Sequence, residues 1–192
     1  MIIMKKIIMS IYYPSGNCGG TGSLPVYSCS PCPSYEYGRI RSVALIKTSY
    51  TILNPSSPTE WNTGIASGDI RVIWETQGSY DGGSTSELAG FGDRETTNGG
   101  TKHSLTWKDP NYKENADFYN TLRDLSEWTI AYRTSNSIHM VNEPCTFTPK
   151  NDVADDTKSN VVWNVMAVWS SPLSPVPYDI PAGIFTNCYV TT

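Results

Sequence analysis

Residues Trp107–Trp169, WKDPNYKENADFYNTLRDLSEWTIAYRTSNSIHMVNEPCTFTPKNDVADDTKSNVVWNVMAVW, hold the pattern that decides the fold. Residues 111–127 read as a helix. Tyr112, Ala116 and Tyr119 recur at helical spacing, and Phe118, Leu122 and Leu125 repeat it one stripe over. A face this broad must lie on a sheet. Asn111 and Glu114, just after Asp109-Pro110, form an N-x-x-E pair suited to capping that helix. Residues 129–134, 137–141 and 145–148 then read as short strands, separated by the turn residues Asn136 and Asn142-Glu143-Pro144. The stretch closes on Val161–Trp169. Val161, Trp163, Val165, Ala167 and Trp169 alternate onto one face, and Val162, Met166 and Val168 fill most of the other. A strand apolar on both faces is expected at the centre of a sheet, covered on each side.

Upstream, regularity starts at Tyr37. YGRIRSVALIKT alternates at first and becomes apolar from Val43 to Ile46, as a strand entering the core does. Ser57-Pro58-Thr59-Glu60 combines a Ser N-cap, Pro at the first helical position and Glu at the third, a capping-box start. Gly64 and Gly68 limit this element to a short helix or turn. Residues 69–76, DIRVIWET, are the next strand. Residues 77–100 are polar and glycine-rich, and a loop this long in a compact domain is usually functional or disordered. Its Asp-Gly-Gly and Asn-Gly-Gly sites suit hairpin closure, so part of it is a candidate projecting hairpin. The expected fold is therefore mainly β: an antiparallel β-sandwich or barrel over residues 37–171 with one flanking helix at 111–127. A Pro/Gly-rich arm over 1–36 precedes it, and an extended Pro-rich tail over 172–192 comes after it.

Composition narrows the function. At 192 residues the chain is expected to form one domain with its own core. A formal charge of −4 and 17% charged residues lack the basic footprint of a nucleic-acid binder, so no sequence-specific nucleic-acid binding is expected. Twelve Tyr and six Trp against four Phe suit protein interfaces and sugar-binding surfaces, or simply a β-rich core. The start, MIIMKKIIMSI, lacks the roughly 7–15-residue apolar run and cleavage site of a secretory signal. No window approaches the roughly 20 apolar residues of a membrane span. The expectation is a soluble chain made in the cytoplasm, without membrane contact.

The five cysteines, Cys18, Cys29, Cys32, Cys145 and Cys188, are odd in number and argue against a complete disulfide framework. Cys29-Ser30-Pro31-Cys32, with Cys18 upstream, is the candidate metal site: three thiolates suited to zinc if a fourth ligand comes from Cys145, Cys188 or a His. The alternative is reduced thiols in an arm. Asp152, Asp155 and Asp156 match no calcium loop and read as solvated surface.

Other catalytic signals are sparse. His103 and His139 are the two histidines, each in a strand-like run. No zincin, nucleophile-elbow, Walker or dinucleotide motif occurs. A Cys145–His139 pair, or a carboxylate pair drawn from Glu60, Glu75, Asp117 and Glu143, has no local sequence context to support it. The expectation is a non-enzymatic protein with no cofactor other than the candidate zinc.

Having the C-x-x-C-P pair, EYGRIRSVALI, SPTEWNTGIASGDIRVIWET, KHSLTWKDPNYKENADFYN, AYRTSNSIHM and VVWNVMAVWSS in this order, the chain resembles a virion structural protein of crAss-like tailed phages that infect Bacteroides-type hosts. The resemblance runs from about Cys29 to Phe185. It implies a tail-tube-like fold. It also implies a homo-oligomeric ring of the portal–tail connector or tail barrel, through which DNA passes, in contact with portal, neighbouring tail or ring proteins, or capsid. No catalytic residue is implied. Ring interfaces are heterologous and close by rotation, and the 77–100 segment and the arm are the expected contact devices. Two other readings stand beside this one. The first is a decoration protein of the capsid. The second, of another class, is a carbohydrate-binding β-sandwich presenting Trp61, Trp74 and Trp107 in an exposed row.

Overall fold

The computed structural model describes residues 38–89, 96–153 and 158–185. The arm over 1–36, with Cys18, Cys29 and Cys32, lies outside the described residues, as does Cys188. In chain order the elements are β1 (Ser42–Lys47), α1 (Pro58–Ser67), β2 (Ile70–Ile73), β3 (Gln77–Tyr80), β4 (Ser84–Ala89) and β5 (Thr96–Asp109). Next come α2 (Ala116–Leu122), β6 (Trp128–Arg133), β7 (Ser137–Met140), β8 (Thr146–Asp152), β9 (Val162–Ser170) and β10 (Val176–Asp179). The strands form two antiparallel sheets ordered β10-β7-β6-β1-β2 and β3-β5-β9-β8, with β4 also paired to β5. The fold is the expected β-sandwich with a flanking helix; neither sheet closes into a barrel among the described residues.

Strand periodicity builds the core. In β1, Val43 and Leu45 point between the sheets, and Ala44 and Ile46 point to the opposite face. Between the sheets, Val43, Leu45, Ile130 and Tyr132 of the first sheet meet Leu105, Trp107, Phe147, Trp163, Val165, Ala167 and Trp169 of the second. Each such large side chain contributes roughly 1.5–3 kcal/mol of burial. On its far face the first sheet carries a second core, in which Ala44, Ile46, Ile70, Ala131 and Ile138 pack with Trp61 of α1 and with Ile184 and Phe185. Trp61 and Phe185 meet edge to face at 5.1 Å.

Four expectations change. The strand covered on both faces is β1. Strand β9 lies inside its sheet between β5 and β8, but its outer face is open, with Met166 38% exposed. The tail is not merely extended: β10 pairs with β7 from Val176↔Met140 to Asp179↔Ser137, and Ile184 and Phe185 are buried, so the packed domain continues past residue 171. The 77–100 segment is mostly strand: β3, β4 and the start of β5. The helix at 111–127 shortens to Ala116–Leu122, and a second helix, α1, occupies 58–67.

Both helix starts differ in their capping. Pro58 opens α1 and Gly68, at φ 82°, ends it, as their chemistry dictates. Ser57 makes no capping hydrogen bond; the Glu60 carboxylate instead accepts the backbone N–H groups of Leu53 (2.7 Å) and Asn54 (3.0 Å), fastening the preceding loop. Gly64 serves packing: a Cβ there would stand 2.5 Å from Ile70 Cδ1, so only glycine lets α1 settle onto β2. At α2, Asn115 Nδ2 donates to Asp109 at 2.7 Å, the Asn111 backbone N–H donates to the same carboxylate at 2.8 Å, and Tyr119 Oη donates at 2.8 Å. The chain wraps the buried Asp109 in turns before the helix can start, which is why the Asn111–Glu114 cap is not made.

Candidate functional site

Strand β5 is 14 residues long and has two halves. Residues 102–109 pair with β9, and 105–108 also pair with β3. Residues 96–98, 101 and 102 pair with β4, with a register shift between Thr85 and Glu87. The result is a two-stranded ribbon, β4 with the first half of β5, that continues past the sandwich. A two-stranded ribbon alone is marginal in water and gains stability from a covering surface.

A bulge marks where the ribbon leaves the sheet. Tyr80 pairs with Leu105 and Ser84 with Lys102, so Asp81, Gly82 and Gly83 stand opposite only His103 and Ser104. Gly82 and Gly83 adopt φ values of 82° and 86°, which glycine tolerates. Asp81 Oδ1 accepts from Gly83 N at 2.9 Å and Ser104 N at 3.0 Å, closing the bulge. A Cβ on Gly83 would lie 2.5 Å from the His103 imidazole, so the bulge also makes room for that ring.

His103 is 1% exposed and fully engaged. Its Nε2 lies 2.9 Å from the Ser171 carbonyl, which can only accept, so the proton sits on Nε2. Nδ1 then accepts from Tyr80 Oη at 2.7 Å. Burial raises the Tyr80 pKa, a Ser174 hydrogen bond partly offsets this, and the Asp81 charge adds to the rise. Trp169 stacks on both rings, at 5.4 Å from His103 and 5.9 Å from Tyr80. The Ser171 hydroxyl donates to Glu143 at 2.9 Å and ties in the loop before β8. This network joins the bulge, β9 and that loop, and it leaves His103 no free nitrogen for proton transfer.

The candidates suggested by the sequence are dispersed. Cys145 is 1% exposed, and burial with the Glu143 charge pushes its thiol up to about 12, far from an activated nucleophile. The His139 ring stacks on Tyr132 at 4.8 Å. Glu60 is held by the Leu53 and Asn54 amides and Glu143 by the Ser171 hydroxyl, whereas Glu75 and Asp117 line different depressions. The exposed tryptophan row does not form: Trp61 is 0% and Trp107 1% exposed, and Trp74 is half-buried with its Nε1 donating to the Ile184 carbonyl at 2.8 Å. No group of three or more His, Cys, Asp or Glu residues able to hold a metal occurs among the described residues. No helix among them is long and apolar enough to cross a membrane.

Two surfaces are not legible in the sequence. One is the open face of β9, where Met166 and Val168 stand in register with Thr106 and Ser104 of β5 and with Thr148 and Thr146 of β8, bordered by Lys108 and Lys150 beside Asn164 and by Lys102 beside Ser170. The period-2 pattern locates these residues but does not show that nothing covers them. The other is a cavity of about 590 Å³ lined by Arg39, Arg41 and Lys108, which strand pairing brings together from distant parts of the chain. Comparison with known protein families, curated proteins and solved structures found no match to this chain.

Proposed function

We propose that the chain is a non-enzymatic structural subunit of a tailed-phage virion. It assembles as a homo-oligomeric ring of the portal–tail connector or tail barrel through which DNA passes. The virion part of this reading rests on the sequence resemblance from Cys29 to Phe185. The observation that carries the assembly part is the ribbon of β4 and the start of β5, in which Glu87–Ala89 pair with residues 96–98 beyond the last residues of β5 held by β9. One edge of each sheet, β10 in the first and β8 in the second, is blunted against strand-to-strand addition. Pro149 in β8 and Pro177 in β10 each withhold a ladder N–H, and the Pro149 carbonyl already accepts from Arg123 at 3.1 Å. In this reading self-association uses the projecting ribbon and the open face of β9 rather than those two edges.

The test replaces residues 86–98 by Asn-Gly and compares the two chains by light scattering and negative-stain electron microscopy. The expected result is closed rings for the parent chain and folded monomers for the shortened one. Identical particles from both would remove the ribbon from the interface. A parent chain that stays monomeric at all concentrations and also when mixed with portal would move the reading to a capsid decoration protein, which needs no contact with its own kind.

A further inference from the structure

The cavity of about 590 Å³ beside residues 39–41 has a chemistry at odds with the chain as a whole. Its wall carries three cations, Arg39, Arg41 and Lys108, and one carboxylate, Glu75, in a protein of net charge −4. Among the described residues none of the three cations is ion-paired; the ion pair that forms there is Lys47–Asp69. A fourth cation, Arg133, is close enough to feel Arg41. Its pKa is lowered first by burial and then by the Arg41 charge, and one of its nitrogens holds the Phe185 carbonyl at 2.8 Å.

The backbone fixes this cluster. Ile40 is 3% exposed and exchanges two 3.2 Å hydrogen bonds with Gly78 of the second sheet. Immediately afterwards, Arg41 N donates to the Arg133 carbonyl of the first sheet at 2.9 Å, and the Arg41 carbonyl accepts from Thr76 N at 3.1 Å. With Ile40 turned inward, Arg39 and Arg41 share the opposite side of an extended segment. Lys108 arrives from the partner sheet, directly opposite Gln77 in the β3–β5 register. Thr76, 7% exposed, also lines the cavity, and its buried Oγ1 has no hydrogen-bond partner among the described residues. Unpaired like charges held together on a pinned backbone repel one another, and a bound anion relieves that repulsion.

We propose that this cavity, where residues 39–41 cross from one sheet to the other, binds a phosphate group through Arg39, Arg41 and Lys108. Arginine's forked donors match phosphate oxygens in pairs, and lysine adds a point charge. The site is independent of the ring reading, since every residue in it comes from one copy of the chain. Its phosphate could be free or part of a nucleic-acid backbone, and the two sources are separable.

The full chain would be titrated with pyrophosphate by calorimetry and with a short DNA duplex by fluorescence anisotropy, both at low salt. Arg41→Gln and Lys108→Gln should each weaken binding on the order of tenfold, Glu75→Gln should tighten it, and Lys102→Gln, six residues and roughly 20 Å along β5 from Lys108, should leave it unchanged. Saturable pyrophosphate binding with that pattern assigns a free phosphate ligand. The same pattern with duplex alone assigns backbone phosphate. Binding of neither probe, or equal weakening by Lys102→Gln and Lys108→Gln, overturns the proposal. The substituted side chains are exposed, so circular dichroism should show all variants folded.

Discussion

Strands β1 and β9 occupy the same place in their respective sheets, each with a neighbour on both sides, and both are apolar on both faces. They differ in what lies over them. β1 is sealed by the second sheet on one face and by Trp61, Ile184 and Phe185 on the other. β9 is sealed on one face only, and the other presents Met166 at 38% exposure. Apolar patterning reports that a face can be covered. Whether it is covered within one copy depends on segments far away in sequence, here 58–67 and 180–185.

The heaviest test of this contrast compares its two cores. Trp163→Ala, between the sheets, and Phe185→Ala, in the second core, should each lower unfolding free energy by roughly 3–5 kcal/mol in urea titrations. A Phe185 loss close to zero would mean that the tail merely drapes over β1 and that the two strands are covered alike. Next comes Leu122→Ala, beneath the shortened α2, with an expected loss of about 2–5 kcal/mol. An unchanged midpoint would show that α2 is not part of the seal on the inner face of β9.

A pH series probes the inner core through Cys145. Its folded-state pKa is raised from 9.0 to about 12, so its contribution is fully present below the unfolded value and is lost as pH climbs through the folded one. Tyr119, raised first by burial and then by the Asp109 charge, acts in the same direction. Melting temperature should therefore fall above pH 9, and less steeply in Cys145→Ala. Equal slopes would mean that this thiol is not sealed in. The smallest expected effect is on the open face. Met166→Ser should change monomer stability by no more than about 0.5 kcal/mol, and a loss approaching that of Trp163→Ala would show that β9 is covered after all.

Much of the fold could be read from local pattern. The apolar run at Val43–Ile46, the alternation over Val161–Trp169 and the Ser57-Pro58 helix start all correspond to elements at those positions. Local pattern misled where a single buried group reorganised its surroundings. The Asp109 carboxylate takes up Asn111, Asn115 and Tyr119 and delays α2 to Ala116, although the residue reads as a simple helix boundary. Glu60 likewise looks like a capping residue and instead clamps the loop before its helix. The site was less legible than the fold. Arg39, Arg41 and Lys108 belong to no motif and meet only through the pairing of Gly78 with Ile40 and of Gln77 with Lys108. The cysteine candidates Cys18, Cys29 and Cys32 lie outside the described residues.

The bulge at Asp81–Gly83 separates two kinds of evolutionary freedom. On the sandwich side, a single-residue insertion in β5 would flip His103, Leu105, Trp107 and Asp109 from the interior to solvent, so that segment tolerates almost no change in length. Beyond the bulge, residues can be added in matched pairs to the two strands without disturbing any pairing inside the domain. Reach is therefore a variable that relatives of this chain can adjust on an unchanged body. Variation in length across such relatives should concentrate between residues 86 and 100.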